Sequence, residues 1–193
     1  MTYRAAICTA LDGPGAVHVG EREETPLQAG EVRVAVKAAG VNFPDLLMTY
    51  GKYQFRPEPP FVPGLEVSGV IAGIGAEVTG WSVGDRIMGG AKGGCFAESV
   101  VLPAASISAL PAALSFEEGA CWQAGASTAW HALYDKAALK PDETVLILGA
   151  SGGVGSAAAL LARELGATVI ATALARIMCS IPPIPIWRAR SRR

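Results

Sequence analysis

The amino-acid sequence predicts an α/β protein in which a β-rich N-terminal part is followed by a βαβ unit. Short segments of alternating apolar and polar residues, separated by Gly and Pro, run through about the first 110 residues. Thr144–Thr172 then combines two short apolar segments with a glycine-rich turn and an Ala- and Leu-rich segment between them. Strands and helices that alternate in this order are typical of a parallel sheet.

The N-terminal strands are indicated by their side-chain alternation. Glu31–Lys37 alternates strictly and predicts a half-buried strand with Val32, Val34 and Val36 facing inward. Further strands are predicted at residues 67–74, 84–88 and 96–102. Together they favour a compact β domain or a partial barrel.

Two helices are predicted outside the βαβ unit. Phe43–Tyr50 has Asn42 at its mouth and a proline in its first turn. Ser115 and Glu118 have the spacing of a capping box, which predicts a helix that runs from Ser115 to Tyr134.

The elements of the βαβ unit follow one another without long loops. Thr144–Leu148 is a continuous apolar run, which is typical of a strand buried on both faces of a parallel sheet. Ser156–Leu165 predicts a helix that ends at Gly166, and Thr168–Thr172 predicts the second strand.

The turn between the first strand and the helix is a variant of the dinucleotide-binding fingerprint, with alanine in the first glycine position. Missing side chains let backbone N–H groups approach a phosphate at the positive end of the helix dipole. The sequence therefore predicts a pyrophosphate site made by Ala150, Ser151, Gly152, Gly153, Val154 and Gly155. The alternative is a glycine-rich turn that only packs the helix tightly on the sheet.

The composition, 51% hydrophobic and 17% charged, indicates a folded chain. Glycine and polar residues interrupt every apolar stretch before it reaches the length of a membrane span, so no membrane association is expected. The N-terminus also lacks the apolar core of a signal peptide. Four cysteines without a CxxC pair (Cys8, Cys95, Cys121, Cys179) favour reduced thiols in a cytoplasmic protein.

Residues 174–193 differ from the rest of the chain. They contain five arginines and three closely spaced prolines, whereas every acidic residue lies at or before Glu164. Basic tails bind nucleic acids in some proteins. Five arginines attached to an otherwise acidic protein are a weak electrostatic signal for such binding, so we expect none. We interpret the tail as non-native or disordered, the product of a frameshift, a splice variant or an expression scar.

Six sequence segments occur in the order found in one protein superfamily. They are GEVRVAVKAAGVNFPD, PFVPGLEVSGVI, GWSVGDRIMG, GGCFAESVVLP, STAWHAL and LGASGGVG. The chain resembles the medium-chain dehydrogenase/reductase superfamily and, within it, the zinc-independent quinone oxidoreductases of the zeta-crystallin-like branch. The resemblance covers residues 1 to about 173 and implies a GroES-like domain at 1–114 and a partial Rossmann domain at 115–173. It also implies that full-length relatives are homodimers.

No metal site is expected. Zinc-dependent members of the superfamily carry Cys where this chain has Asn42, and His where it has Leu65. Leucine has no lone pair, and an amide is a poor zinc ligand beside a thiolate or an imidazole. The two histidines, His18 and His131, lie far apart in the sequence and are interpreted as structural.

The resemblance implies a reductase that transfers hydride from NADPH to a quinone or an enone, with hydrogen bonds to the developing oxyanion. In related quinone reductases the residues that match Asn42 and Tyr53 line the pocket near the nicotinamide, which implies catalytic roles for both. Thr128 matches a cofactor-binding position. The alternatives are an N-cap for Asn42, a surface-loop aromatic for Tyr53 and a buried helical threonine bonded to its own backbone for Thr128. Asp45 is interpreted as a first-turn carboxylate.

The residues after the fingerprint indicate NADPH rather than NADH as the cofactor. NAD sites place an acidic residue about 20 residues beyond the fingerprint to hold the ribose hydroxyls. That position falls near Thr172 here, and no acid follows. Arg176 has the charge to pair with a 2′-phosphate.

The βαβ unit supplies two strands, whereas a Rossmann sheet has six. We therefore expect the chain as written to be an inactive fragment of the reductase, with unpaired apolar strand edges. Two alternatives stay open. The chain acts as a GroES-like binding module, or the parent enzyme reduces enoyl thioesters or acts on alcohols, since one scaffold serves all these reactions.

Overall fold

The computed structural model describes residues 1–172, and the tail predicted at 174–193 lies outside them. The chain forms two compact units, Met1–Ser127 and a second one that begins at Thr128. The first unit includes residues 115–127, which the predicted domain boundary after residue 114 assigns to the second domain. Within residues 1–172, no helix has the length and apolarity needed to cross a membrane.

A five-stranded antiparallel sheet forms the centre of the first unit, in the strand order β6-β3-β4-β5-β7. The strands are β3 (Glu31–Gly40), β4 (Glu66–Ile74), β5 (Arg86–Gly90), β6 (Ser99–Pro103) and β7 (Ile107–Ala109). Four of them were predicted within a few residues of these bounds. The sequence did not reveal β7, because three residues carry too little alternation to indicate a strand.

The core of the first unit lies on one face of this sheet. Val32 and Val34 of β3 are fully buried, as the alternation predicts, and they pair in register with Leu102 and Val100 of β6. Val36 is partly buried and packs against the same core, and the register of β3 with β4 shifts after it, between Val36 and Ala38. A β-bulge of this kind rotates the side chains that follow it.

A hairpin that the sequence did not predict packs beside this sheet. Its strands are β1 (Thr2–Cys8) and β2 (Val17–Glu23), and they pair antiparallel. Ala5 and Cys8 are buried and form single bridges to Ala97 and Phe61. The hairpin was missed because consecutive residues of β1, Ala5 with Ala6 and Ile7 with Cys8, are both apolar and give no clear alternation.

The predicted helix from Ser115 to Tyr134 is broken in the structure. Its capping box is confirmed, since Ser115 Oγ accepts from the Glu118 N–H at 3.2 Å and the Glu118 carboxylate accepts from the Ser115 N–H at 2.8 Å. However, α2 (Phe116–Ala120) ends after five residues, and α3 (Gln123–Trp130) begins beyond it. A single π-helical segment, His131–Lys136, follows α3. The helix that precedes α2 in the chain is α1 (Phe43–Thr49), close to its predicted bounds.

The break has a hydrogen-bonding cause. In one continuous helix the Ala124 N–H would bond to the carbonyl oxygen of Ala120. Instead it donates to a carboxylate oxygen of Glu66 at 2.8 Å. A buried acceptor from another part of the chain therefore competes with the helical bond and starts a new helix, which local sequence does not indicate.

The second unit contains the predicted βαβ unit. Strands β8 (Thr144–Leu148) and β9 (Thr168–Thr172) pair in parallel, and α4 (Gly153–Leu165) connects them. The small residues Ala158 and Ala162 of α4 are buried against the sheet. Gly166 ends the helix in the left-handed conformation, at φ 94°, as the sequence predicts.

The prediction that β8 is buried on both faces is wrong for these residues. Ile147 is 7% exposed, whereas its neighbour Leu148 is 73% exposed. Leu146 and Ile170 are also exposed, on the face of the two strands opposite α4. The apolar run indicated two covered faces, but α4 covers one face alone, since alternate side chains of a strand point to opposite sides.

This difference in burial predicts a large loss of stability for one substitution and almost none for the adjacent one. Ile147→Lys would bury an unpaired charge and should cost at least about 3 kcal/mol of unfolding free energy. Leu148→Lys should change stability by no more than about 0.5 kcal/mol, because the side chain already meets solvent. Urea unfolding of the 193-residue chain, followed by circular dichroism, measures both. Equal destabilisation by the two variants would contradict the observed burial of β8.

Candidate active site

Asn42 lies at the mouth of α1 and makes two polar contacts there. Its backbone N–H donates to Asp45 Oδ2 at 2.7 Å, and its side-chain Nδ2 donates to Glu66 Oε1, also at 2.7 Å. Asn42 therefore occupies the N-cap position of α1, as one of the two interpretations expected. Its catalytic role stays a prediction, and the side chain is held by a partner that the sequence did not suggest.

Glu66 is the residue that the sequence analysis missed. It opens β4, is 4% exposed, and accepts hydrogen bonds on both carboxylate oxygens, from Asn42 and from the Ala124 N–H. Gly40 passes so close that a Cβ there would lie 2.5 Å from Glu66 Oε1. The available signal was a charged residue inside the otherwise apolar segment Leu65–Val67, because carboxylates are rarely fully buried without a reason.

Asp45 is the second buried carboxylate near Asn42. It lies in the first turn of α1, is 3% exposed and accepts from the Asn42 N–H. Burial raises the pKa of Asp45, and the nearby charge of Glu66 raises it further, although the hydrogen bond from Asn42 opposes both. The fold therefore makes ionisation of this side chain less favourable than in water.

Tyr53 lies in the loop that follows α1 and is partly buried. Its hydroxyl oxygen is 3.4 Å from Gln54 Nε2, and its carbonyl oxygen accepts from Arg56 Nε at 3.2 Å. The Gln54 contact is long and comes from an exposed neighbour. The Tyr53 hydroxyl consequently keeps the capacity to donate to a substrate oxygen.

Thr128 and His131 follow Ser127 along the helical segment and belong to the second unit. Thr128 is exposed, whereas the alternative of a helical threonine assumed a buried side chain, and its cofactor-binding role stays a prediction. The His131 Nδ1 atom is 2.8 Å from Asp135 Oδ2, and both side chains are exposed. His131 thus forms a surface pair one turn apart, in keeping with a structural role.

The glycine turn between β8 and α4 presents backbone donors at the start of a helix. The first helical bond runs from the Ser156 N–H to the Gly152 carbonyl oxygen at 2.8 Å. The N–H groups of Gly153, Val154 and Gly155 precede that bond and have no helical acceptor. Ser151, Gly152, Gly153 and Val154 are exposed. Ala150 is partly buried and donates its N–H to the carbonyl oxygen of Thr172 at 2.9 Å.

The glycines of this turn serve different purposes. A Cβ at Gly155 would overlap the Gly149 carbonyl oxygen and lie 2.9 Å from Ala150 Cα, so the turn itself requires glycine there. At Gly152 the nearest atom would be 3.4 Å away, and at Gly153 no atom lies within 4 Å. Packing thus explains Gly155, whereas Gly152 and Gly153 leave the turn open to a ligand that needs the backbone. The residues present fit a phosphate group.

The positions that carry zinc ligands in other members of the superfamily have no such ligands here. Leu65 is aliphatic, and Asn42 donates to Glu66. Burial, with added effect from the carboxylates of Asp45 and Glu66, raises the pKa of Cys95 to about 12, which keeps this thiol protonated at neutral pH. Within residues 1–172, no cluster of three or more His, Cys, Asp or Glu side chains is arranged to hold a metal ion. His18 is exposed on β2.

Comparison with known proteins identifies the superfamily. The profile of the alcohol dehydrogenase GroES-like domain matches residues 28–112. The quinone oxidoreductase-like protein 2 homolog of Nematostella vectensis is 43% identical over 88% of this chain and 47% of its own length. The chain contains this GroES-like domain, and its homologues are members of the medium-chain dehydrogenase/reductase superfamily.

Two solved structures extend this relation to the fold. The quinone oxidoreductase of Thermus thermophilus, solved also in complex with NADPH, is 35% identical and superposes with a TM-score of 0.74 over 88% of this chain and 53% of its own. The CurK enoyl reductase is 28% identical, with a TM-score of 0.81 over 90% and 55% of the two chains. The relatives are oxidoreductases of the superfamily, and this chain spans about half of their length.

The raised pKa of Asp45 predicts a pH-dependent stability difference. Because the folded state binds the Asp45 proton more tightly than the unfolded state, ionisation costs stability as the pH rises above the usual aspartate range, near 4. Asp45→Asn abolishes this titration. The unfolding free energy of the variant minus that of the wild type should therefore increase between about pH 4 and pH 7.

Urea unfolding at several pH values measures this difference, with Asp12→Asn as the control. Asp12 is exposed, so Asp12→Asn makes the same chemical change without a buried environment. A difference for Asp45→Asn that stayed constant with pH would show that burial does not govern its ionisation.

Proposed function

We propose that the full protein is an NADPH-dependent oxidoreductase that reduces a quinone or a polarised enone without a catalytic zinc ion. The observation that carries this proposal is the open glycine turn at the N-terminus of α4. Gly152 and Gly153 leave the backbone uncovered, and the N–H groups of residues 153–155 have no helical acceptor. A dinucleotide pyrophosphate matches this combination of free donors and positive helix dipole.

The residues of the chain have distinct tasks in this reaction. The bound nicotinamide supplies the hydride. Residues 150–155 hold its pyrophosphate, and Thr128 contacts the cofactor. Asn42 and Tyr53 each offer an N–H or O–H donor to the substrate oxygen, on which negative charge develops as hydride arrives. Each donor is uncharged, so it stabilises the oxyanion by a hydrogen bond and does not need to lose a proton.

Independence from zinc is supported by the chemistry of the side chains. Leu65 offers no lone pair, and the Asn42 amide nitrogen already donates to a carboxylate. Quinones and enones are strong electrophiles, which reduces the need for a Lewis acid. These substrates therefore fit a site built from hydrogen-bond donors alone.

Preference for NADPH is supported by the end of β9. The strand closes with Thr172 and supplies no carboxylate to repel a 2′-phosphate. Arg176 lies outside the described residues. It is included in the proposal because its positive charge suits a 2′-phosphate. Homodimeric assembly and a cytoplasmic location are part of the same proposal and rest on the resemblance and on the cysteine usage.

The first prediction from this proposal concerns the glycine turn. Gly152→Val places a side chain over the exposed backbone, where the pyrophosphate must approach, without overlapping the turn. NADPH affinity should fall at least about tenfold, or about 1.4 kcal/mol, while the helix loses no more than about 1 kcal/mol of stability. Fluorescence titration with NADPH and thermal unfolding of a full-length counterpart measure the two effects.

Two variants accompany this test. Gly15→Val adds the same side chain at a position with no neighbour within 4 Å, and should leave NADPH affinity unchanged. Gly155→Val should disrupt the turn itself and reduce both affinity and stability. If Gly152→Val bound NADPH like the wild type, the turn would only pack α4 on the sheet and the phosphate-binding proposal would fail.

The second prediction concerns the reaction. In the presence of a chelator, a full-length counterpart should reduce a quinone with NADPH at least about tenfold more efficiently than with NADH. An α,β-unsaturated ketone and an enoyl thioester, tested in parallel, distinguish a quinone reductase from an enoyl reductase. Loss of activity with the chelator and recovery with zinc would refute metal independence. No turnover of any acceptor would leave the binding module as the better description.

A further inference from the structure

Glu66 holds two segments of the first unit that are far apart in sequence. Its Oε1 accepts from Asn42 Nδ2 at the mouth of α1, 24 residues away, at 2.7 Å. Its Oε2 accepts from the Ala124 N–H in the first turn of α3, 58 residues away, at 2.8 Å. One carboxylate thus connects the residue proposed to contact substrate with the start of a helix.

The chemistry of a carboxylate decides how the Asn42 amide is oriented. Ionised Glu accepts hydrogen bonds and donates none, so Asn42 must turn its NH₂ group, and not its Oδ1, toward Glu66. An asparagine amide is otherwise free to rotate by about 180° and exchange its two ends. With one Nδ2 hydrogen on Glu66, the second hydrogen and Oδ1 take fixed directions away from it.

Neither an ion pair nor a helix cap accounts well for the buried position of Glu66. Among residues 1–172 the ion pairs are Arg4–Glu98, Arg33–Glu24 and His131–Asp135, and none includes Glu66. Its charge is offset instead by two N–H donors and by the N-terminal end of α3. A buried carboxylate without a cation is an expensive way to hold a helix, because burial of an ion costs several kcal/mol. Capping α3 alone would need only a neutral acceptor.

The packing around Glu66 leaves its carboxylate little freedom. A Cβ at Gly40 would overlap the Ala120 carbonyl oxygen and lie 2.5 Å from Glu66 Oε1, so the Gly40 backbone passes close to the carboxylate. Asn42 and Ala124 occupy the two oxygens. The carboxylate plane, and with it the Asn42 amide, is therefore fixed by contacts on several sides.

We propose that Glu66 is a positioning residue that fixes the Asn42 amide with a free N–H available to the substrate oxygen. This inference rests on the proposed role of Asn42 in the reductase reaction. Glu66 itself does not touch the substrate in this proposal. It determines which end of the Asn42 amide a substrate meets.

Glu66→Gln tests the proposal, because glutamine has the shape of glutamate but a single acceptor oxygen. If that oxygen stays on the Ala124 N–H, the new NH₂ group faces Asn42, whose amide must rotate to present Oδ1. We expect kcat for quinone reduction to fall at least about tenfold, since loss of one oxyanion donor costs about 100- to 1,000-fold in other enzymes. KM for NADPH should change less than about twofold, because Glu66 lies outside the proposed cofactor site.

A double-mutant cycle separates positioning from a structural role. Asn42→Ala should lower kcat by about 100-fold, and Glu66→Gln should cost nothing further in that background, because its effect passes through Asn42. A purely structural Glu66, acting through α3, would multiply the two losses. Glu98→Gln makes the same chemical change on an exposed carboxylate and should leave kcat unchanged.

A measurement on the 193-residue chain gives the amide orientation without activity. In the wild type, one Asn42 Nδ2 proton should exchange slowly with solvent by NMR, since it is bonded to a buried carboxylate. In Glu66→Gln that protection should disappear. Retained protection in the variant would overturn the proposal. If the variant did not fold, the wild type alone would decide. Fast solvent exchange of both Asn42 Nδ2 protons would overturn the proposal, and slow exchange of one of them would support it.

These results are distinguishable from failure of the proposed function. If Asn42→Ala had full activity, Asn42 would lie outside the catalytic machinery, and the role proposed for it would be wrong. If Asn42→Ala lost activity but Glu66→Gln did not, the reductase proposal would stand and the positioning role of Glu66 would fall. If no acceptor were reduced, the proton-exchange measurement would still decide the orientation of the amide.

Discussion

A buried carboxylate, that of Glu66, is the constraint on which the arrangement of the first unit depends. It sits at the start of β4 and is satisfied by two N–H donors from separate segments. Taking a charge out of water is costly, and a carboxylate at this depth remains acceptable only while both donors stay in place. The loop before α1 and the beginning of α3 are therefore coupled, since displacement of either would leave an unsatisfied buried charge.

Several local features of the chain follow from that constraint. The Ala124 N–H bonds to Glu66 instead of Ala120, so the helix that begins at Ser115 stops at Ala120 and restarts at Gln123. Gly40 is required because its backbone passes against the carboxylate. Burial raises the pKa of Asp45, a second buried carboxylate nearby, and the charge of Glu66 raises it further.

How much of this was visible in the sequence depends on the range of each interaction. Alternation and capping are local, and they predicted β3, the capping box at Ser115 and the βαβ unit with its parallel strands. The hairpin of β1 and β2 was missed because consecutive apolar residues in β1 obscure the alternation that marks a strand. Glu66 was missed for a different reason, since its partners are 24 and 58 residues away and no local pattern marks such a contact.

The apolar run of β8 shows the opposite error, because there a local pattern predicted more than the described residues provide. Continuous hydrophobicity indicated two covered faces, yet Leu146 and Leu148 meet solvent. A sequence pattern records the environment that the residues suit, whereas burial records what actually packs against them. The chain spans about half the length of the relatives that it matches.

The glycine turn and the Asn42 loop place different demands on the chain, and the proposed reaction needs both. In the turn, the proposed function depends on the absence of side chains. Packing does not require glycine at Gly152 or Gly153, and the space beside their backbone is open. In the loop the proposed function depends on the Asn42 amide, which is partly buried and donates to Glu66. Asn42 and Tyr53 belong to the first unit, while Thr128 and the turn belong to the second. Neither unit by itself contains all the groups proposed for hydride transfer.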